Sequence, residues 1–237
     1  MKLISDIVQY EILDWLDTSL NIKSIDDTNA TTQDITFCCI KWLKLYNFII
    51  VNGVNYEVIE YINSNSVRIS LDGNSPLTLN SSVSIGTPLF FDGTLNILTL
   101  EWTNFSDGQS RIKDKNKLPF VWLVSPTSED FQAGDTSIER LSTLNLWFVH
   151  WSDWTKLQEY RQSESIKPLM ALVDEFINVI RERTEVFDTL ESFNTRDFPM
   201  WGQESANGIT QVITGSTLSA VEVGLTATII NRTCNNC

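Results

Sequence analysis

The chain has 237 residues, 42% hydrophobic and 20% charged, a composition that can build a sizeable core and that disfavours disorder. At about 150 residues per domain that is roughly one domain plus an insertion. Its 17 Lys and Arg against 30 Asp and Glu leave a net charge of −13, which disfavours a general nucleic-acid binder, since such a protein needs basic surface to displace counterions from phosphate. The same charge disfavours docking on anionic membranes. With one His and four Cys, most catalytic templates lack their residues. Composition describes an acidic, aromatic-rich, mostly β protein with no visible active site.

In chain order, the first segment reads as an amphipathic helix. Ile4, Ile7, Val8, Ile12, Trp15 and Leu16 recur at three- and four-residue steps between polar residues. Asp6, Gln9, Glu11 and Asp14 interrupt the apolar stretch that a secretory signal needs, and no run approaches the length of a membrane span. A polar stretch follows from Asn21 to Gln33, and Ile35 to Leu45 fits either a strand or a short helix. From Asn47 the pattern is β. Strands are expected at Phe48 to Val51, Val54 to Ile62, Val67 to Leu71, Leu77 to Leu79 and Val83 to Ile85. Asn52-Gly53, Asn63 to Ser66, Asp72-Gly73 and Pro76 supply the turns. Turns this close together predict a small barrel or curled meander.

After Asp92-Gly93, longer strands are expected at Leu95 to Trp102, Leu118 to Val124 and Leu141 to Trp151, with loops at Ser106 to Lys117 and Ser125 to Ser137. A helix from Ser165 to Phe187 follows, capped by Ser165, with Pro168 tolerated in its first turn. Ile166, Leu169, Met170, Val173, Phe176, Ile177 and Ile180 form its apolar stripe. Gly202 to Gly215 reads as a loop. The last strand, Leu218 to Ile230, puts Val221, Val223, Leu225, Ala227 and Ile229 on one face. The expected architecture is α+β: an antiparallel sheet flanked by two helices, formed by residues 1–46 and 93–237, with a small β meander or barrel inserted at 47–92.

Two strands of that sheet are apolar on both faces. Phe120, Trp122 and Val124 oppose Val121 and Leu123, and Leu144, Leu146 and Phe148 oppose Trp147, Val149 and Trp151. A sheet covered on one side alternates apolar with polar. Helices can cover one face here; the inserted meander or another subunit must cover the other.

Candidate chemistry is sparse. His150 lies beside Asp153, but no G-x-S-x-G turn presents a nucleophile, so a structural or interface role is expected for it. Asp26, Asp27, Asp130, Asp135 and Glu139 lie in polar stretches without motif spacing and read as solvated surface. No phosphate-binding glycine loop occurs. Cys38 and Cys39 are adjacent, and Cys234-x-x-Cys237 lacks two further zinc ligands; all four read as ordinary thiols of a reducing compartment. The tryptophans, among them Trp42, Trp102, Trp122, Trp147, Trp151, Trp154 and Trp201, read as core or subunit contact. The 106–117 loop concentrates Arg111, Lys113, Lys115 and Lys117 on an acidic protein, either as a solvated loop or as an arm that meets an acidic patch on a neighbour. No enzyme, cofactor or metal is expected.

The order of helix, strands, SIKPLMALVDEFINVIRERTEVF, loop and VEVGLTATIINR resembles the phage tail-completion or tail-terminator group, small α+β proteins that form rings at the head–tail junction. The stretch LWFVHWSDWTKLQEYRQSESIKPLMALVDEFINVI is particularly similar to that group's strand–polar loop–helix unit. The likeness covers residues 1–20 and 93–237, with Asn47 to Phe91 as an insertion on the minimal plan. The chain also resembles neck ring proteins of crAss-like phages. The resemblance implies a structural virion protein assembled in the host cytoplasm. Copies would close into a ring between portal or adaptor and tail proteins, and an acidic lumen would pass DNA without specific binding. Closing a ring needs a heterologous interface, for which Trp147, Trp151, Trp154 and the basic loop are the candidates. The other reading is an intracellular protein-binding adaptor without catalysis.

Overall fold

The computed structural model of the chain describes residues 3–94, 118–125, 127–133, 138–153, 155–201, 203–206, 209–212 and 218–231; for 27, 131–133, 138–139, 203–206, 209–212 and 231 it describes the backbone alone. The architecture is α+β, in two compact units: Asp17–Thr87, and Met1–Leu16 with Pro88–Cys237.

The smaller unit is an antiparallel sheet of strands β1 (Ser19–Leu20), β2 (Ile22–Thr28), β3 (Thr32–Phe37), β4 (Phe48–Val51), β5 (Val54–Tyr61), β6 (Ser66–Ser70) and β7 (Val83–Ser84). Its spatial order is β1-β7-β4-β5-β6-β3-β2. β1 and β2 stand at opposite ends of that order, yet one residue, Asn21, separates them in the chain. Consecutive Cα atoms are about 3.8 Å apart, so the two ends must meet and the sheet curls into a nearly closed barrel. The Cys38 amide donates to the Asn21 carbonyl (2.9 Å), which carries the β2–β3 pairing up to that junction. Ile35, Phe37, Trp42, Ile49, Val67 and Ile69 fill the interior.

This sheet begins at Ser19 rather than at the expected Asn47. The polar run Asn21 to Gln33 supplies β2 and the start of β3 instead of a loop: β2 folds back on β3, and β3 pairs on its other side with β6. Ile35 to Leu45 divides into the end of β3 and a 3-10 turn at Leu43–Leu45. No strand forms at Leu77 to Leu79; Gln33 takes over its backbone instead. Its amide donates to the Leu77 carbonyl (3.0 Å) and accepts from the Leu77 N–H (2.8 Å). Asn52-Gly53 does form the β4–β5 turn, with both φ angles positive (50° and 81°), which matches the twist of the strands it joins.

The larger unit is built on β8 (Leu89–Gly93), β9 (Phe120–Val124), β10 (Ser128–Ala133), β11 (Ile138–Trp151), β12 (Phe187–Trp201) and β15 (Leu218–Asn231). The order is β12-β15-β11-β9-β8, with β10 also on β11. All pairings are antiparallel except β8 with β9. β10 occupies part of the expected 125–137 loop, and a short ribbon, β13 (Gln203–Ala206) with β14 (Ile209–Val212), part of the expected 202–215 loop. The strand expected at Leu95 to Trp102 lies outside the described residues.

Two helical runs flank this sheet. The first is α1 (Ile4–Asp6), continued by a π-wound Ile7–Ile12 and a 3-10 turn Leu13–Trp15. Its uneven winding takes Trp15 off the apolar stripe on which even spacing puts it. Trp15 is exposed, and the Arg183 guanidinium stacks 3.8 Å from its ring centroid. The second is α2 (Lys167–Glu182), led in by Gln158–Arg161 and a π-wound Gln162–Ile166. Ser165 is therefore inside a helical run and caps nothing; its hydroxyl donates to the Trp151 carbonyl (3.1 Å). The wide turn sits just before Pro168, which has no N–H to donate and whose ring needs room from the preceding turn. Leu169, Val173, Phe176, Ile177 and Ile180 are buried as the stripe predicts, and Met170 is half-buried.

The doubly apolar strands separate two kinds of packing. Toward α2 stand Leu144, Leu146, Phe148, Val221, Val223, Leu225, Ala227 and Ile229, all buried, with Phe148 edge-on to Phe176 at 5.3 Å. The opposite face is aromatic. Phe91, Phe120, Trp122 and Trp201 are buried there with Val149, Leu218 and Ala220. No helix among the described residues is long and apolar enough to cross a membrane.

Candidate interaction surface

The aromatic face follows from pleat geometry. Trp147 lies opposite Trp122 on β9, and Val149 opposite Phe120, so one face of two neighbouring strands receives Phe120, Trp122 and Trp147. From the other side β12 adds Phe198 and Trp201. Trp201 stands 6.3 Å from Trp122 and 5.6 Å from Trp147, and Trp147 stands 4.9 Å from Phe198. The tilted and edge-on arrangements suit ring quadrupoles. The buried Trp122 indole N–H donates to the Gly93 carbonyl (3.1 Å). Trp147 is half-buried at the margin of this layer, and Trp151, further along the same face, is 38% exposed. Beyond it Leu157 and Tyr160 are exposed, Leu157 by 79%. Of the candidate interface residues, the structure thus sets Trp147 and Trp151 on one face. Arg111, Lys113, Lys115, Lys117 and Trp154 lie outside the described residues.

Sequence reading missed β12. Fifteen residues long, it is the outermost strand of its sheet, and among the described residues it pairs with β15 alone. Its middle is exposed, which hides it from periodicity: FDTLESFNTRDFPMW has few apolar residues and no clean alternation. The available signal was indirect, since the strongly alternating β15 needs a partner on each side. Between Ser192 and Phe198 its register with β15 is regular, and irregularities flank that window on both sides. Beside the window a groove of about 420 Å³ separates β12 from α2. Ile166, Met170 and Ala171 line it below, and Lys167, Asp174 and Asp197 stand around it. Gln162 donates to Asp197 Oδ2 at 2.9 Å, and the Arg181 guanidinium lies 5.7 Å from the Phe193 ring centroid.

The titratable candidates are dispersed. His150 is on the α2 side of β11, with its Nδ1 buried and without a hydrogen-bond partner among the described residues. Burial pushes the imidazole pKa down from 6.5 to about 3, so at neutral pH it is uncharged. The Asp153 carboxylate turns away to accept from the Thr155 amide (3.0 Å) and hydroxyl (2.6 Å). Asp26 is in β2, exposed, accepting from Thr36 and Ser24, which lowers its pKa. Asp130 is exposed on β10. The side chains of Asp27 and Glu139, and all of Asp135, Cys234 and Cys237, lie outside the described residues. Cys38 and Cys39 are exposed free thiols. No group of three or more His, Cys, Asp or Glu that could hold a metal occurs among the described residues.

The chain matches no protein-family model, and no curated protein is significantly similar to it.

Proposed function

We propose that the chain is a structural virion protein that closes into a homo-oligomeric ring at the head–tail junction of a phage, with portal or adaptor and tail proteins as neighbours and DNA passing through its lumen. The observation that supports this best is the large sheet itself. It ends on a fifteen-residue strand paired on one side among the described residues, and Trp151 at the end of β11 is exposed, as are Leu157 and Tyr160 in the segment that follows. Unpaired strand edges and exposed aromatic or aliphatic side chains are what association between copies consumes. The net charge of −13 suits a channel wall that repels phosphate. The role requires no catalysis.

The test is the state of the purified protein. Sedimentation at high micromolar concentration is expected to show a large discrete species, and micrographs a closed annulus. A Trp151→Glu, Leu157→Glu double variant should shift the protein toward the monomer. A compact monomer at every concentration, with no annulus, overturns the proposal and favours the adaptor reading.

A further inference from the structure

Resting on that ring reading, we infer that the groove between α2 and β12 receives an extended basic segment of a neighbouring copy, the stretch Arg111–Lys117. Three observations converge on this assignment. The first is backbone valence. In the window Ser192–Phe198, β12 is held in regular register to β15, and no strand among the described residues takes its other side. A row of N–H and C=O groups there is a template for one more strand. The irregularities on either side restrict an added strand to that seven-residue window.

The second is the groove. An added strand carries side chains alternately to the two faces of the sheet. On the α2 side they meet a hollow of about 420 Å³ with Ile166, Met170 and Ala171 at its base, a size in the range of natural recognition sites, which is about 300–1,000 Å³. A sheet edge beside a helix is a recurring arrangement for capturing extended peptides.

The third is charge. Two carboxylates, Asp174 and Asp197, face the groove against one ammonium, Lys167, and neither carboxylate makes an ion pair with a described residue. In RIKDKNK the cations Arg111, Lys113, Lys115 and Lys117 fall at every second position. An extended chain therefore puts all four on one face, at steps of about 6.6 Å. The stretch is seven residues long, as is the window. Copies that each carry −13 repel one another unless opposite local charges meet, so this pairing offsets the repulsion at the contact and sets which surfaces meet.

The experiment uses a fluorescein-labelled synthetic peptide spanning Ser110–Leu118, titrated with the full-length protein and read by fluorescence anisotropy. Saturable binding is expected. Asp174→Lys should weaken it about three- to tenfold at low salt, a gap that closes above about 0.5 M salt because exposed pairs are screened. Asp174 is exposed on α2, so the variant should fold, and an unchanged circular dichroism melt checks this. A peptide of the same composition with its four cations adjacent should bind more weakly than the alternating one. Failure of the peptide to bind overturns the inference. So does equal binding to Asp174→Lys, or equal binding of the rearranged peptide. If the peptide binds as described but annuli never form, the groove assignment stands and the ring reading falls. If annuli form and neither Asp174→Lys nor excess peptide alters them, the ring reading stands and the groove assignment falls.

Discussion

The two sheets of this chain handle their ends in opposite ways. In the small unit β1 and β2, at the two ends of the strand order, are joined through Asn21, and the sheet curls until its ends meet. In the large unit, among the described residues, the sheet stays open and finishes on β12, whose middle is exposed. Curling removes edges and with them the tendency to pair with other chains; an open sheet keeps that tendency. The buried groups differ in the same sense. The barrel fills with Ile35, Phe37, Trp42 and Ile69 around one buried polar clamp, Gln33 on Leu77. The open sheet has an aliphatic face under α2 and an aromatic face opposite. One chain can thus hold a sheet whose ends meet and, among its described residues, a sheet whose end strand has a neighbour on one side only.

Three measurements sharpen or break that contrast. The largest effect is expected in the open sheet. Phe176→Ala removes the ring that meets Phe148 under α2 and should cost about 3–5 kcal/mol in denaturant unfolding; near-neutral stability would mean the helix face is not a packed core. Next, Gln33→Leu in the barrel leaves the Leu77 N–H and C=O without their partner and should cost about 1–3 kcal/mol. A neutral result would show that the clamp is dispensable and that curling alone holds the barrel.

The third measurement is the pH dependence of stability. His150 in the large unit has its folded pKa depressed from 6.5 to about 3. The unfolded chain therefore takes up a proton first as pH falls. Stability is full above about pH 7 and declines below pH 6.5 by at most about 1.4 kcal/mol per pH unit, down to about pH 3. In the small unit, the Lys41 ammonium and the Ser19 hydroxyl and amide hold the Asp17 carboxyl down at about 2. Its contribution is present above pH 3.8 and is lost as pH falls through about 2. Melts between pH 7 and pH 4 should thus report His150 rather than Asp17, and His150→Gln should flatten that slope. An equal slope in His150→Gln assigns the acid sensitivity elsewhere.

Much of the local structure was legible. Asn52-Gly53 turned as a two-residue hairpin must, β15 alternated with its odd-numbered side buried from Val221 to Ile229, and the stripe of α2 faced the sheet. The two-sided apolar character of β9 and β11 goes with buried side chains on both of their faces. Polar strands were not legible. β12 owes its conformation to β15, a partner distant in sequence, and β2 to the neighbouring β3, which is itself held by the distant β6. A strand whose side chains face water leaves no hydrophobic period, and its backbone hydrogen bonds are satisfied whatever its side chains are. The same limit hid the site. Trp147 and Trp151 stood out as aromatic, but the edge strand and its groove have no composition of their own.

By itself, then, the sequence determined what depends on near neighbours: turn residues, the periods of α2 and β15, the acidity, and the excess of apolar strand surface. Tertiary structure alone decided that β1 to β3 join the barrel, that β12 ends the open sheet, and that a groove with Asp174 and Asp197 runs beside it. Periodicity reports only how a segment meets one environment, whereas sheet order and edges depend on which distant segments arrive, and no short window of residues encodes that.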